Sequence, residues 1–172
     1  MKIRTVPVLL GALVVAFGGC ASVTTSADYD RSTDFSRYRT YGWIPAPEPI
    51  GNAIVEKRLT AAIDDELAAK GMTKSDHPDL LVSMHAQLTR QVEYETTGYG
   101  YGPGRWQTGS QTTREEIPIG TLIVDLVDAG RKELVWRGMA RRVLDLMASP
   151  EAKEKATRDT VARMFAAYPP GR

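Results

Sequence analysis

The sequence predicts an α+β fold: an antiparallel sheet with two helices packed on one face, two layers, one domain, in the order β-β-α-β-β-β-α. Three observations lead there. Leu80 to Leu88 alternates, with Leu80, Val82, Met84, Ala86 and Leu88 on one face and Leu81, Ser83, His85 and Gln87 on the other. That is the period of a strand that buries one side only. Val55, Leu59, Ala62, Ile63 and Leu67 recur at helical spacing, giving the stripe of an amphipathic helix. Neighbouring strands are joined by turns rather than by alternating helices, which selects α+β over α/β.

Lys2 and Arg4 precede a mostly apolar stretch of twelve residues, Val6 to Phe17, closed by Gly18-Gly19. This charged, apolar and small-residue order is that of a secretory signal removed on export. A membrane-spanning helix needs about 20 apolar residues, so the stretch is too short to remain as a span. Residues 1–19 are therefore expected to be a signal peptide, 20–22 a tether, and 23–172 one domain.

Within that domain, Val23 to Asp30 reads as a first strand. Asp34 to Trp43 carries Phe35, Tyr38, Tyr41 and Trp43 and ends in a second short strand. Pro45, Pro47 and Pro49 break regular structure and form a connector. The first helix follows, with Lys70 in its last turn and Gly71 as its left-handed stop. After the alternating strand, extended by Val92 and Tyr94, the segment Thr96 to Thr113 is rich in glycine and has no period. It is expected to be a long loop. Ile119 to Val127 and Glu133 to Val143 form a hairpin about the turn Asp128-Ala129-Gly130-Arg131. Ser149 and Pro150 open the last helix as N-cap and first-turn proline, and Pro169-Pro170 stops it.

Composition narrows the function classes. The chain has 172 residues, 22 Lys plus Arg, 21 Asp plus Glu, 42% hydrophobic residues and a net charge of +1. Loss of Lys2 and Arg4 leaves 20 bases against 21 acids, a net charge of −1. No nucleic-acid partner is expected from so even a balance. The single cysteine, Cys20, excludes an internal disulfide framework and a multi-cysteine zinc site. A mature chain of 153 residues buries roughly 68–70% of its unfolded surface, enough for one core. No cofactor is expected.

Gly18-Gly19-Cys20 resembles the lipobox of bacterial lipoproteins, with Phe17 where an aliphatic residue is commoner. The resemblance implies a diacylglycerol on the Cys20 thiol and an acylated amino terminus after cleavage. Ala21, rather than aspartate, follows the cysteine, which implies the periplasmic face of the outer membrane in a Gram-negative cell. Two or three acyl chains suffice for stable anchoring, since each buried methylene contributes about 0.8 kcal/mol.

The mature chain as a whole resembles a family of uncharacterised bacterial lipoproteins, domain of unknown function 4136. The likeness rests on Asp28-Tyr29-Asp30, Asp34-Phe35-Ser36, Tyr38, Thr40-Tyr41-Gly42-Trp43, Lys70-Gly71 and Asp79-Leu80-Leu81-Val82. It continues through Gly120-Thr121-Leu122-Ile123-Val124-Asp125, Asp128, Leu134-Val135-Trp136-Arg137-Gly138 and Tyr168-Pro169-Pro170. It implies an exported, anchored domain and carries no activity with it.

Candidate chemistry is sparse. His77, in Asp76-His77-Pro78-Asp79, has no second histidine at ligand spacing and reads as a loop residue before a strand. His85 sits on the polar strand face without the orienting group and oxyanion site that nucleophilic catalysis needs. Asp125 is expected to pair with Arg137 across the hairpin, and Asp128 to organise the turn by bonding its own backbone. Arg131, Lys132, Arg137, Arg141 and Arg142 would contact headgroups or peptidoglycan, or else guard an edge strand. The remaining candidate surface is the Gly-rich segment, where Tyr99, Tyr101, Arg105 and Trp106 are residue types common at binding hot spots; the alternative is a hairpin extension without a role. The expected function is a non-catalytic binding or assembly module tied to the membrane by Cys20, with an envelope protein or peptidoglycan as partner. The alternative is an envelope hydrolase, with a pocket where Asp125, His85 and Glu116 converge.

Overall fold

The computed structural model describes residues 23–45, 52–99 and 109–170. In chain order these form β1 (Val23–Tyr29), a 3-10 turn (Phe35–Arg37), β2 (Thr40–Trp43), α1 (Ala53–Ala69) and β3 (Thr73–Lys74). Then come β4 (Leu80–Tyr99), β5 (Gly109–Asp128), β6 (Glu133–Val143) and α2 (Pro150–Phe165). All six strands share one sheet, ordered β1-β6-β5-β4-β2-β3.

The expected layout is present, with two differences: a short extra strand, β3, follows α1, and one edge of the sheet is parallel. β1, β6, β5 and β4 pair antiparallel, whereas β2 runs parallel to both β3 and β4. The parallel edge follows from connectivity: α1 lies between β2 and the strands after it, and a helical crossover returns the chain in the same direction.

Local signals set the helix limits. The Asn52 side chain accepts from the N–H groups of Ile54 and Val55, and Gly71 ends α1 at φ +81°, where glycine avoids the Cβ penalty. Ser149 accepts from the N–H of Ala152 at 3.2 Å, with Pro150 in the first turn. Ion pairs Arg58–Glu154 and Arg158–Asp65 join α1 and α2. The pairing advances along both helices together, so they run in the same direction.

The sheet buries one face. Leu80, Val82 and Met84 of β4, Leu122, Val124 and Leu126 of β5, and Trp136 and Ala140 of β6 pack on Ile63 and Leu67 of α1 and Val161, Met164 and Phe165 of α2. Asp64 ties α1 to the parallel edge, accepting from Tyr41 Oη at 2.9 Å, Trp43 Nε1 at 3.0 Å and Lys74 Nζ at 2.7 Å. Burial, and then this carboxylate, push the Tyr41 hydroxyl far above its ordinary pKa.

Trp136 is the centre of the core. Leu126 lies opposite Trp136 while Val127 lies opposite Leu134, so Val135 is an extra residue in β6. Such a bulge lets consecutive side chains turn inward, and Val135 and Trp136 are both buried. The indole lies 5.2 Å from the Phe165 ring and 5.4 Å from the Tyr168 ring. It also covers Gly138: a Cβ there would fall 2.3 Å from Trp136 Cη2 and 2.8 Å from Met164 Cγ. A methyl group at Gly138 therefore displaces the indole and α2 together. Overpacking of this kind costs about 1–3 kcal/mol. Gly138→Ala is expected to lower the urea midpoint by the upper part of that range at unchanged m-value, read by chemical denaturation. An unchanged midpoint would show that the indole has room to yield.

Candidate functional site

β6 ends at Val143, opposite Ile119, which in turn lies opposite Thr89. Beyond that rung no further strand pairs with β4 or β5 among the described residues. Arg90–Tyr99 pairs with Gly109–Pro118 without a break in register, forming a two-stranded ribbon of about 33 Å at roughly 3.3 Å per residue. The segment expected to be a loop over 96–113 is thus strand at both ends, and only residues 100–108 fall between the strands. The threonines explain the difference. Thr96 lies opposite Thr112 with their hydroxyls 3.2 Å apart, and Thr97 lies opposite Gln111. β-branched pairs hold the ladder, while the neighbouring glycines hide the pattern.

Of the residues singled out in the sequence, Tyr99 is the last of β4, opposite Gly109. Cys20, Tyr101, Arg105 and Trp106 lie outside the described residues.

The ribbon is largely polar, with Val92 and Tyr94 as apolar residues on one face and Ile117 on the other. Its core-side face carries Arg90, Val92, Glu116, Tyr94 and Arg114, with Arg114 and Glu116 paired at 2.9 Å. The other face carries Gln91, Glu93, Glu95 and Glu115. Glu93 stands directly opposite Glu115, a like-charge pair that works against the ladder. β2 covers β4 only at Leu80–Val82. From Ser83 to Tyr99 the outer edge of β4 faces no other strand among the described residues, so its backbone donors and acceptors point outward.

The hydrolase constellation is not assembled. Asp125 and His85 share the open sheet face, opposite Ser83 and Ile123 respectively. Both Asp125 oxygens accept from Arg137, at 2.6 and 2.7 Å, which is the expected hairpin pair. Glu116 lies nine residues along β5, about 30 Å away, on the opposite face. His77 is exposed in the turn before β4. Among the described residues no group of three or more His, Cys, Asp or Glu is placed to hold a metal ion, and no helix is long and apolar enough to cross a membrane.

Away from the ribbon lies a cleft of about 630 Å³, with Tyr29, Phe35, Met72, Tyr168 and Pro169 in its walls and Asp30 among the polar residues lining it. Asp30 accepts from the Ser32 N–H and the Ser32 and Thr33 hydroxyls, which hold it near pKa 2. Its oxygens are committed to shaping the loop. The cleft is a shallow aromatic slot.

Beside it, Asp128 does more than organise its turn. Oδ1 accepts from the N–H groups of Gly130 at 3.0 Å and Arg131 at 2.8 Å, as expected. Oδ2 accepts from Tyr38 Oη at 2.9 Å, from Arg131 Nε at 3.2 Å and from Arg37. The Arg37 guanidinium lies 5.1 Å from the Tyr38 ring centre. These partners come from about 90 residues earlier in the chain, a separation no local spacing reveals. The Arg131 backbone N–H, followed by the Tyr38 and Arg131 side chains, holds the buried Asp128 carboxyl near pKa 2.

A family described as "Domain of unknown function (DUF4136)" matches residues 25–170. No curated protein matches the sequence. Among solved structures, a PDZ domain protein from Parabacteroides distasonis superposes with a TM-score of 0.60 at 18% identity, over 88% of this chain and 36% of that one. The chain thus spans about a third of that protein's length. The PelC dodecamer from Paraburkholderia phytofirmans superposes with a TM-score of 0.52 at 9% identity, over 84% of this chain and 96% of that one. At such identities the likeness is one of fold.

Asp128 makes an acid-sensitive link. Its folded pKa lies below the ordinary 3.8, so its contribution is complete above about pH 4 and is lost as pH falls towards about 2. Asp128→Asn is expected to cost about 2 kcal/mol at pH 7, the scale of hydrogen bonds to a charged acceptor. The gap to the parent chain should narrow between about pH 4 and pH 2, read from urea midpoints at each pH. A gap of constant size would assign the effect to packing instead.

Proposed function

We infer that this chain, which belongs to the DUF4136 family of unknown function, is a lipid-anchored, periplasm-facing envelope protein that acts as a non-catalytic binding or assembly module. The observation that carries this reading is the ribbon. An isolated two-stranded hairpin is marginally stable, and this one has an acidic pair opposed at its middle and an edge of β4 that meets no other strand among the described residues. Its shape suits a partner that adds an extended strand along that edge, where backbone hydrogen bonds give affinity and alternate side chains give selectivity. The partner is an extended segment of another envelope protein.

The anchor is Cys20, whose thiol takes a diacylglycerol before cleavage between Gly19 and Cys20, and Ala21 directs the protein to the outer membrane. In sequence Tyr99 ends β4 and Tyr101, Arg105 and Trp106 follow it, and these four are the side chains we assign to partner binding.

The test combines crosslinking with lipid labelling in intact cells. A photo-crosslinking residue at Glu95 should capture one defined envelope protein, while the same residue at Ala61 on the outer face of α1 should not. Excising residues 97–110 should remove the capture and shift the thermal midpoint by less than about 2 °C. Cys20→Ala should abolish fatty-acid labelling. Absence of a captured protein from Glu95 would overturn the binding role, and persistent labelling of the alanine variant would overturn the anchor.

A further inference from the structure

The strand register fixes which end of the molecule faces its anchor. Val23 lies opposite Arg142, Arg142 opposite Gly120, and Gly120 opposite Leu88. The chain therefore enters the sheet at the rung where the ribbon leaves it. Both helices begin at this end: α2 follows from β6 through residues 144–149, and α1 runs alongside α2 in the same direction.

Exposed apolar side chains gather at the same place. Of the ten large apolar side chains exposed among the described residues, six are here. Met147 (92% exposed) and Leu146 lie in the β6–α2 connection, Val143 ends β6, and Ile54 (68%) is in the first turn of α1. Leu88 (51%), at the base of the ribbon, and Tyr94 (69%), within it, share the core-side face of β4. The opposite end of the sheet offers Tyr29 and Leu134, each less exposed than any of these six. Charges around the six are mixed in sign, with Arg90, Arg141 and Lys153 against Glu56, Asp145 and Glu151. No single charge sign dominates.

We propose that this end is a phospholipid-contacting surface: Ile54, Leu88, Tyr94, Leu146 and Met147 rest in the headgroup layer, and the ribbon lies along the bilayer surface. Val23 lies three residue steps after Cys20, a reach of at most about 11 Å at 3.6 Å per step. A ribbon of about 33 Å pointing straight at the bilayer would hold Val23 three times further away than that reach. The strands are therefore inclined to the surface. The ribbon also stays out of the hydrocarbon, because open strand edges are not satisfied there. Clustered apolar side chains amid mixed charges suit an interface held by apolar contact, which salt does not disrupt. The proposal deepens the lipid-anchored reading and rests on it for the tether length.

The test places a bimane fluorophore on the full chain, processed in cells and purified with its own modification, through Leu88→Cys, Met147→Cys or Leu134→Cys. All three positions are exposed, so the core is left intact. The protein is reconstituted with vesicles of phosphatidylethanolamine and a minor share of phosphatidylglycerol that carry a shallow nitroxide lipid. Quenching at positions 88 and 147 should exceed that at 134 several-fold and should persist at high salt. Equal quenching at all three positions, or stronger quenching at 134, would overturn the orientation. The parent chain treated with bimane checks the premise separately. Labelling at Cys20 would refute the anchor, while the three-position comparison would still decide which end meets the lipid. A chain that stays out of the vesicle fraction would overturn both.

Discussion

A mismatch of lengths governs this molecule. α1 and α2 have 17 and 16 residues, about 25 Å each at 1.5 Å per residue. β4 and β5 have 20 residues each, about 66 Å at roughly 3.3 Å per residue. Two short helices on one face can cover less than half of such strands. Burial follows that limit: Leu80, Val82 and Met84 are buried while Leu88 is half exposed, and on β5 Leu122, Val124 and Leu126 are buried while residues 110–116 are exposed. The part of the hairpin left outside has no core to pack on, and its residues are accordingly mostly polar.

The two ends of the sheet are built by different physics. At the far end, aromatic rings meet edge to face, Phe35 with Tyr38, Tyr29 and Tyr168, and carboxylates fasten the loops. Asp128 joins the β5–β6 turn to Arg37 and Tyr38, and Asp79 accepts from the backbone of Arg39 and Thr40. These links are made within the chain and leave little free for a ligand. At the ribbon end apolar side chains are bare and, among the described residues, a strand edge is unmatched. Binding capacity is therefore concentrated beside the point where the chain enters, which is the reason for assigning lipid and partner to that end.

Much of the fold was legible in the residues because its signals are local. Period two at 80–88, the helical stripe from Val55 to Leu67, the stop at Gly71 and the cap at Ser149 each depend on neighbours within one element. The pairing of Asp125 with Arg137 was legible too, since a hairpin brings its members together by construction. The ribbon was obscured because its outer half is held by backbone pairing and threonines, while Gly98 and Gly109 carry the turn-like composition that suggested a loop over 96–113. The parallel edge, the Asp64 and Asp128 junctions and the contact of Trp136 with Gly138 depend on which distant segments meet, or on a bulge that shifts the pleat by one residue. No spacing along the chain encodes either. The candidate site was visible as a composition, Tyr99, Tyr101, Arg105 and Trp106 among glycines, but the paired strands that flank it were not.

That the ribbon lies outside the cooperative fold is tested most directly by native-state hydrogen exchange as a function of denaturant. Amides of residues 90–99 and 110–117 are predicted to exchange through small local openings that hardly respond to denaturant, whereas those of Val82, Val124 and Trp136 should exchange only with global unfolding. Protection of the ribbon equal to that of the body, with the same denaturant dependence, would contradict it and make the hairpin an integral part of the core.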